Sequence, residues 1–257
     1  MDVHTVLILL GTGLAGGVMA AIVGGASVIT FPVLLWVGLP PVTATASNLV
    51  AVSAGNMLAA MTDRGNLPPF NRAFMGMMAA SLIGAVIGAV LLLATPERMF
   101  EQLIPVLLGV ATVLFAFARQ VTQWLRARAK ARGEHEWRMS VTSVPLVLPI
   151  SIYGGYFGAG AGTLLLGVLT IATEGNYRRA NVAKNLVSSL NTLAASVWFI
   201  IHGAVSWPQT LVMMVGCLAG GFCGAYVSRR IPPHFMRVVV ILVGVLLTVI
   251  FAWKYWF

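Results

Sequence analysis

Apolar residues dominate this chain of 257 residues in long runs that short polar breaks separate. The runs occupy residues 5–37, 42–62, 73–95, 103–118, 141–173, 182–201, 205–227 and 235–257. Most of them are long enough for a helix that crosses a bilayer, because a hydrocarbon core of about 30 Å needs about 20 residues. The pattern therefore predicts an all-α polytopic membrane protein.

The two halves of the chain repeat one pattern of glycine, asparagine and proline. At an offset of 137 residues, matches fall on Gly17 and Gly154, Gly25 and Gly162, Gly38 and Gly175, and Asn48-Leu49-Val50 and Asn185-Leu186-Val187. After a one-residue adjustment, further matches fall on Gly84 and Gly220, Gly88 and Gly224, and Pro96 and Pro232. This collinear register indicates that each half is a copy of one unit.

The first run of each half is too long for one straight crossing. About 33 residues would form a helix near 50 Å in length. Glycines interrupt both runs, at Gly24-Gly25 and within residues 158–162. Because glycine lowers helix stability and permits turns, each run is either a tilted, kinked helix or a hairpin of two short arms.

The distribution of Lys and Arg favours the hairpins. Single crossings throughout would divide the 16 Lys and Arg residues almost evenly between the two sides. Two hairpins leave only Arg98 and Lys254 outside, as the positive-inside rule requires. We therefore predict two inverted-topology repeats, each a Gly-broken re-entrant-like hairpin plus three transmembrane helices. Both termini should lie on the non-cytoplasmic side.

A polar, basic segment divides the two repeats. We predict a first transmembrane repeat at residues 1–118, a basic cytoplasmic connector at 119–140 and a second transmembrane repeat at 141–257. The net charge of +9 comes from Lys and Arg in the breaks between apolar runs. Membrane topology accounts for that charge better than nucleic-acid binding, so we expect no nucleic-acid partner.

The hairpins predict an anion site. Arms of about fifteen residues reach only about 22 Å, so each hairpin should turn inside the membrane. The second arm then begins with unpaired N–H groups and the positive end of a helix dipole. The residues at these two turns are Gly24, Gly25, Ala26, Ser27, Gly160, Gly162 and Thr163. The alternative is that the glycines only let helices pack closely.

A polar helix face follows each hairpin. Asn181, Lys184, Ser188 and Asn191 recur at three- and four-residue spacing with Asn185 beside them. In the first half a comparable face carries Thr45, Asn48, Gly55 and Asn56, and Asn48 is the counterpart of Asn185. A lysine inside a membrane is costly, so Lys184 is a functional candidate. The alternative is a lysine that extends to the cytoplasmic interface. Helix dipoles, amides and one cation together indicate a small anionic substrate.

Other chemistries find little support in the sequence. The Asp and Glu residues fall at the ends of runs or in loops, which argues against a cation channel or a carboxylate proton relay. The four His and two Cys residues do not have metal-ligand spacing, and neither a Walker loop nor a nucleophile–base pair is visible. We expect no metal, no cofactor and no enzymatic activity.

Two further glycine pairs have small-xxx-small spacing. They are Gly84/Gly88 and Gly220/Gly224. This spacing predicts close helix packing. A homodimer through either glycine face is the alternative.

The chain resembles the TauE/SafE family of anion exporters, also called the toluene-sulfonate uptake permease family, over nearly its whole length. The stretches that carry the resemblance are GGASVITFPVLLWVGLPPVTATASN, YGGYFGAGAGTLLLGVLTI, RRANVAKNLVSSLN and HGAVSW. The family's glycine motifs fall on Gly24-Gly25, Gly158, Gly160 and Gly162, and its basic-amide motif on Arg179, Asn181, Lys184 and Asn185. The second half lacks the proline that the family pattern often has after the glycines.

The resemblance implies a secondary transporter of the cytoplasmic (inner) membrane that moves sulfite, sulfoacetate or a related organosulfonate, usually outward. We expect the anion to bind between the two hairpin tips, with alternating access. Lys184 would supply charge, and Asn48 and Asn185 would supply amide donors. The alternatives are a passive anion channel and a non-transporting membrane scaffold or assembly protein.

Overall fold

The structure is a computed structural model that describes residues 1–131, 144–173, 176–227 and 233–256. Ten α-helices form within these ranges. The first five are α1 Val3–Ile22, α2 Ala26–Trp36, α3 Pro41–Thr62, α4 Arg72–Ala94 and α5 Glu97–Ala131, with a short 3-10 helix at Arg64–Asn66. The last five are α6 Val144–Tyr156, α7 Ala161–Ala172, α8 Tyr177–Ile201, α9 Trp207–Val227 and α10 Pro233–Trp256.

Both long apolar runs break into two helices at the glycines that the sequence indicates. Gly24 lies between α1 and α2 with a φ of 88°. Gly158 and Gly160 lie between α6 and α7, each with a φ of 83°. A residue with a Cβ rarely adopts this left-handed backbone, so glycine is what allows the chain to leave one helix and enter the next.

The helices α1 and α2 fold back on each other across their break. A Cβ on Gly16 would lie 2.5 Å from Cγ2 of Thr30, although the two residues are on opposite sides of Gly24. The chain therefore reverses direction between α1 and α2. It does not continue as one kinked rod.

The described helices bury several polar side chains within an apolar core and expose many large apolar side chains. Leu242, Leu246, Val249 and Trp253 of α10 are 65%, 60%, 60% and 75% exposed. The buried polar side chains include Asn48, Asn56, Ser81, Ser151, Lys184, Asn185 and Asn191. Such an apolar exterior matches a lipid environment, where water is not available to solvate polar surface.

Four of the described helices are long and apolar enough to cross a bilayer, judged by length and composition. They are Val3–Ile22, Arg72–Ala94, Glu97–Phe117 and Arg237–Trp256. α2 and α7 are apolar but shorter than a crossing requires. The all-helical structure agrees with the prediction of a polytopic membrane protein.

The small-xxx-small glycines pack helices of the same chain together. A Cβ on Gly88 would collide with the Ile152 carbonyl oxygen of α6. A Cβ on Gly220 would collide with the Leu14 carbonyl oxygen of α1. Gly84 and Gly224 face the same two helices, at Ser151 and at Val18 and Ala21. Helices of the same chain therefore cover both glycine faces, and the homodimer stays a prediction.

The helix α5 extends beyond the apolar run that predicts it. The run ends at residue 118, whereas α5 continues to Ala131. The first part of the predicted connector at 119–140 is therefore helical. The remainder of that connector, residues 132–140, lies outside the described residues.

Candidate functional site

A small cavity lies where the two helix breaks meet. Its volume is about 30 Å³, at least twice the roughly 10–15 Å³ that one water molecule needs on this measure. Helices α1, α2, α3, α6, α7 and α8 or the breaks between them contribute to its walls. The lining residues are Ala20, Gly24, Ala26, Ser27, Leu49, Val52, Asn56, Ile150, Gly154, Gly158, Ala161, Gly162, Leu165, Ser188, Asn191 and Thr192.

The two breaks contact each other directly at this cavity. A Cβ on Gly24 would lie 2.8 Å from Cα of Gly162. Next to this contact, Oγ1 of Thr163 donates a hydrogen bond of 3.0 Å to the carbonyl oxygen of Val23. The absence of side chains at Gly24 and Gly162 is therefore what allows the two breaks to meet.

Two helices begin at the cavity. Ala26 and Ser27 open α2, Ala161 and Gly162 open α7, and all four line the walls. The first turn of a helix has N–H groups without intrahelical partners and the positive end of the helix dipole. No acidic side chain is among the lining residues. The local electrostatics therefore favour an anion.

The polar side chains of the cavity differ in whether they have partners. Nδ2 of Asn191 donates to the carbonyl oxygens of Ser81 and Ser151, each at 3.1 Å. Oγ1 of Thr192 donates to the carbonyl oxygen of Ser188 at 2.9 Å. Oγ of Ser188 is buried and has no hydrogen-bond partner among the described residues. Ser188 thus combines a place in the cavity wall with a buried hydroxyl that lacks a partner among the described residues.

Asn48 contacts the lining residue Ser27 from outside the cavity. Its Nδ2 donates to Oγ of Ser27 at 2.9 Å, and its Oδ1 accepts from Oγ1 of Thr30. Asn48 is fully buried and is not one of the lining residues. It therefore orients Ser27 and does not face the cavity itself.

The basic-amide residues of α8 bind the end of α1. Nζ of Lys184 donates to the carbonyl oxygen of Ala20 at 2.6 Å. Nδ2 of Asn181 and Nδ2 of Asn185 donate to the carbonyl oxygen of Ala21 at 2.9 Å and 3.4 Å. A helix end leaves its last carbonyls without intrahelical partners. These side chains supply the missing donors.

The next two carbonyls of the break are satisfied in the same way. Tyr177 at the start of α8 donates from its hydroxyl to the carbonyl oxygen of Ile22 at 2.9 Å. Thr163 donates to Val23, as described above. All four backbone oxygens from Ala20 to Val23 therefore accept hydrogen bonds from the second half of the chain.

The structure separates the predicted site residues into two groups. Gly24, Ala26, Ser27, Gly162 and Ser188 line the cavity. The remaining predicted residues lie around the cavity. Gly25 lies against the Phe115 ring, and Gly160 lies against Ala111. The others make the hydrogen bonds described above: Asn48, Thr163, Asn181, Lys184 and Asn185. In this conformation the ammonium of Lys184 bonds to a backbone carbonyl at the end of α1.

Two asparagines at the cavity are absent from the predicted site. Asn56 lies eight residues after Asn48, and Asn191 lies seven after Lys184. Spacings of seven and eight residues return to the same face of a helix. Both residues belong to the polar faces that the sequence predicts, but the predicted site ends before them.

One model of a known protein family matches most of the chain, including the residues of the candidate site. The family model described as sulfite exporter TauE/SafE matches residues 9–251. The chain belongs to the TauE/SafE family. This confirms the resemblance that the glycine and basic-amide motifs indicate.

Relatives of this TauE/SafE protein are similar over almost their full length. A "Probable membrane transporter protein" of Haemophilus influenzae is 22% identical over 96% of this chain and 94% of the relative. "Probable membrane transporter protein ORF9" of a Sinorhizobium species is 27% identical over 96% and 92%. A "Probable membrane transporter protein" of Xylella fastidiosa is 24% identical over 100% and 98%. No solved structure matches the chain.

The family and the relatives identify the general class of this protein. It is a member of a membrane transporter family, with a small-molecule substrate and a lipid environment. Its relatives are named as transporters and not as enzymes. Among the described residues, no cluster of three His, Cys, Asp or Glu side chains could hold a metal ion.

Proposed function

We propose that this protein is a secondary transporter that moves sulfite, sulfoacetate or a related organosulfonate out across the inner membrane by alternating access. One observation carries the proposal. The starts of α2 and α7 line the same cavity, where Ser188 presents a hydroxyl without a partner among the described residues. The membership in the sulfite exporter family supports the class of substrate.

The chemistry of the cavity suits a sulfur oxyanion. Sulfite and sulfonate oxygens accept hydrogen bonds, and the cavity offers the N–H groups of two helix starts and the Ser188 hydroxyl. Each helix end stabilises an anion by about 0.3–1 kcal/mol at an exposed site and by up to about 2 kcal/mol when partly buried. Two such ends provide net attraction without requiring a charged side chain in the walls.

The cavity is small for a sulfur oxyanion in this conformation. A volume of about 30 Å³ accommodates about two water molecules, which is less than a sulfur oxyanion needs. The walls must therefore move apart before the anion binds. We propose that this movement opens the cavity to one side of the membrane at a time.

We also propose that the two halves are inverted-topology repeats, each with a re-entrant hairpin. The packing supports this, because exchanging the halves maps one set of contacts onto another. In this exchange α1 corresponds to α6, α3 to α8 and α4 to α9. The α1–α9 contact then corresponds to the α6–α4 contact, and the α3–α9 contact corresponds to the α8–α4 contact. The α3–α8 contact and the α5–α10 contact each join two corresponding helices, so the exchange leaves both contacts unchanged. Such pseudo-symmetry is the basis of alternating access in many secondary transporters.

Transport by purified protein in liposomes tests the proposal. The full chain is reconstituted, and uptake of labelled sulfite, sulfoacetate, chloride and phosphate is measured at rising concentration. We expect saturable transport of the sulfur oxyanions and much slower transport of chloride and phosphate. Linear uptake without saturation would indicate a channel. A rate equal to that of empty liposomes for every anion would indicate a non-transporting protein.

A further inference from the structure

Three buried polar atoms on α8 have no hydrogen-bond partner among the described residues. They are Oδ1 of Asn181, Oδ1 of Asn185 and Oγ of Ser188. The spacings of four and three residues place them on one face of the helix, as a polar line about two turns long. The three residues are 7%, 2% and 9% exposed. Because buried polar atoms normally have partners, the polar line points to a partner from outside the chain.

The polar line connects the cavity with the start of α8. Ser188 lines the cavity, whereas Asn181 lies about one turn after Tyr177, the first residue of the helix. The start of α8 is on the side that the distribution of Lys and Arg assigns to the cytoplasm. The line therefore leads from the predicted cytoplasmic surface to the proposed anion site.

A bidentate ion pair joins the two halves of the chain at this end of α8. Nη2 and Nε of Arg178 donate to Oδ1 and Oδ2 of Asp63, which directly follows α3, at 2.7 Å and 2.9 Å. Two parallel hydrogen bonds fix the relative orientation of the two groups. The side chains are 52% and 16% exposed, and a solvated ion pair adds little to stability. The pair is thus specific in geometry and easily broken.

Behind the ion pair, the first turns of α8 cover the end of α1. The Tyr177 hydroxyl donates to the carbonyl oxygen of Ile22, and Nδ2 of Asn181 donates to that of Ala21, each at 2.9 Å. These contacts also join the second half of the chain to the first. A movement of the start of α8 away from α1 and α3 would break them together with the ion pair. It would expose the polar line to water.

We propose that the anion passes between the cytoplasm and the cavity along the polar line, and that the Arg178–Asp63 ion pair closes this route at its outer end. The inference rests on the proposed transport function and adds its route and gate. When the route is closed, the three polar atoms are buried without partners. When it is open, water and the hydrated anion supply the partners. Polar groups at membrane depth are tolerated where they line such a wet path.

Labelling of a cysteine at the cavity tests the gate without measuring transport. Ser188→Cys is combined with Cys223→Ser, because Cys223 is exposed and Cys217 is buried. The full chain is kept in inside-out membrane vesicles, and a membrane-impermeant methanethiosulfonate reagent that carries a sulfonate is added. We expect Arg178→Gln to raise the labelling rate by roughly twofold to fivefold, the population change that the loss of an exposed ion pair produces.

Arg179→Gln is the matched control for that variant. It removes the same charge from the next residue, which is also exposed and forms no ion pair among the described residues. The labelling rate should therefore stay at the value of the Ser188→Cys parent. Asp63→Asn should raise the rate as Arg178→Gln does. The exchange of Asp63→Arg with Arg178→Asp re-forms the pair in reverse and should restore the parent rate.

The outcomes separate the gate from the proposed function. Unchanged labelling in Arg178→Gln and Asp63→Asn, an equal rise in Arg179→Gln, or an equal rise in right-side-out vesicles would overturn the gate. If liposomes then still show saturable anion transport, only the gate fails. If labelling follows the ion pair but no anion is transported, the proposed function fails and the route to the cavity stands.

Discussion

Gly24 and Gly162 lie backbone against backbone at the meeting point of the two helix breaks. A Cβ on Gly162 would lie 2.9 Å from Cα of Gly24 and 3.0 Å from its carbonyl oxygen. The two residues are 138 positions apart in the sequence, and each lies at a break in one half. The contact between the halves at the cavity therefore depends on two positions that cannot carry a side chain.

Gly24→Ala should disrupt transport by separating the two breaks. The new Cβ would meet Gly162 at 2.8 Å, and both contacting groups are backbone. We expect at least a tenfold loss of sulfite or organosulfonate transport in liposomes. The positive φ of Gly24 adds strain of about 1–2 kcal/mol, which should lower the free energy of unfolding.

Gly38→Ala is the matched control for that prediction. Gly38 also has a positive φ, of 95°, but a Cβ there would meet no atom within 4 Å. It should show the same loss of about 1–2 kcal/mol in unfolding free energy and keep its transport activity. Equal transport losses in Gly24→Ala and Gly38→Ala would show that strain, and not the contact between breaks, matters.

Ser188→Ala should affect substrate affinity more than stability. The Ser188 hydroxyl is buried without a partner among the described residues, so its removal should leave the unfolding free energy unchanged or slightly higher. A hydrogen bond to a charged ligand contributes about 1.5–3 kcal/mol, so the KM for the anion should rise by roughly tenfold or more. The measurement is the concentration dependence of uptake.

Ser189→Ala provides the neighbouring control. Oγ of Ser189 donates to the carbonyl oxygen of Leu186 at 2.8 Å, and Ser189 does not line the cavity. We expect an unchanged KM and a loss of about 1 kcal/mol in stability. A KM that rises equally in both variants would remove Ser188 from the substrate site.

Gly88→Ala should destabilise the contact between α4 and α6. Its Cβ would collide with the Ile152 carbonyl oxygen, and overpacking of this kind costs about 1–3 kcal/mol. Gly109→Ala is the control, because its Cβ would lie at an ordinary 3.5 Å from Thr248. Unfolding in detergent should separate the two variants. Similar melting temperatures would contradict the packing role of Gly88.

The inverted-repeat proposal predicts the location of both chain ends. Reporter tags fused to the N-terminus and to the C-terminus should both be accessible from the non-cytoplasmic side of intact cells. The distribution of Lys and Arg is the reason, since two hairpins place nearly all of them on the cytoplasmic side. A cytoplasmic C-terminus would contradict the inversion of the second half.

The positions of the helix breaks are well predicted from the sequence, because their cause is local. The backbone at Gly24, Gly158 and Gly160 needs a positive φ, and glycine adopts it most readily. The extension of α5 to Ala131 is not predicted, because the apolar pattern ends earlier. A helix that leaves the membrane no longer needs apolar residues, so hydropathy does not mark its end.

The role of Lys184 illustrates what sequence reasoning could not provide. The spacing of Asn181, Lys184 and Ser188 correctly indicates a shared polar face. The partner of that face is the end of α1, more than 160 residues earlier in the chain. Tertiary packing chooses this partner, so the sequence does not predict the hydrogen bond from Lys184 to the Ala20 carbonyl.

Counterflow of labelled sulfite in liposomes tests the central claim most directly. Wild-type protein is reconstituted with unlabelled sulfite or sulfoacetate inside, and labelled sulfite is added outside. If the protein is a transporter with one anion site between the breaks, liposomes with the wild type or Gly38→Ala should transiently accumulate labelled sulfite above its equilibrium level. Liposomes with Gly24→Ala should show no such overshoot. Label that only approaches equilibrium, or identical overshoot in all three proteins, would contradict the account.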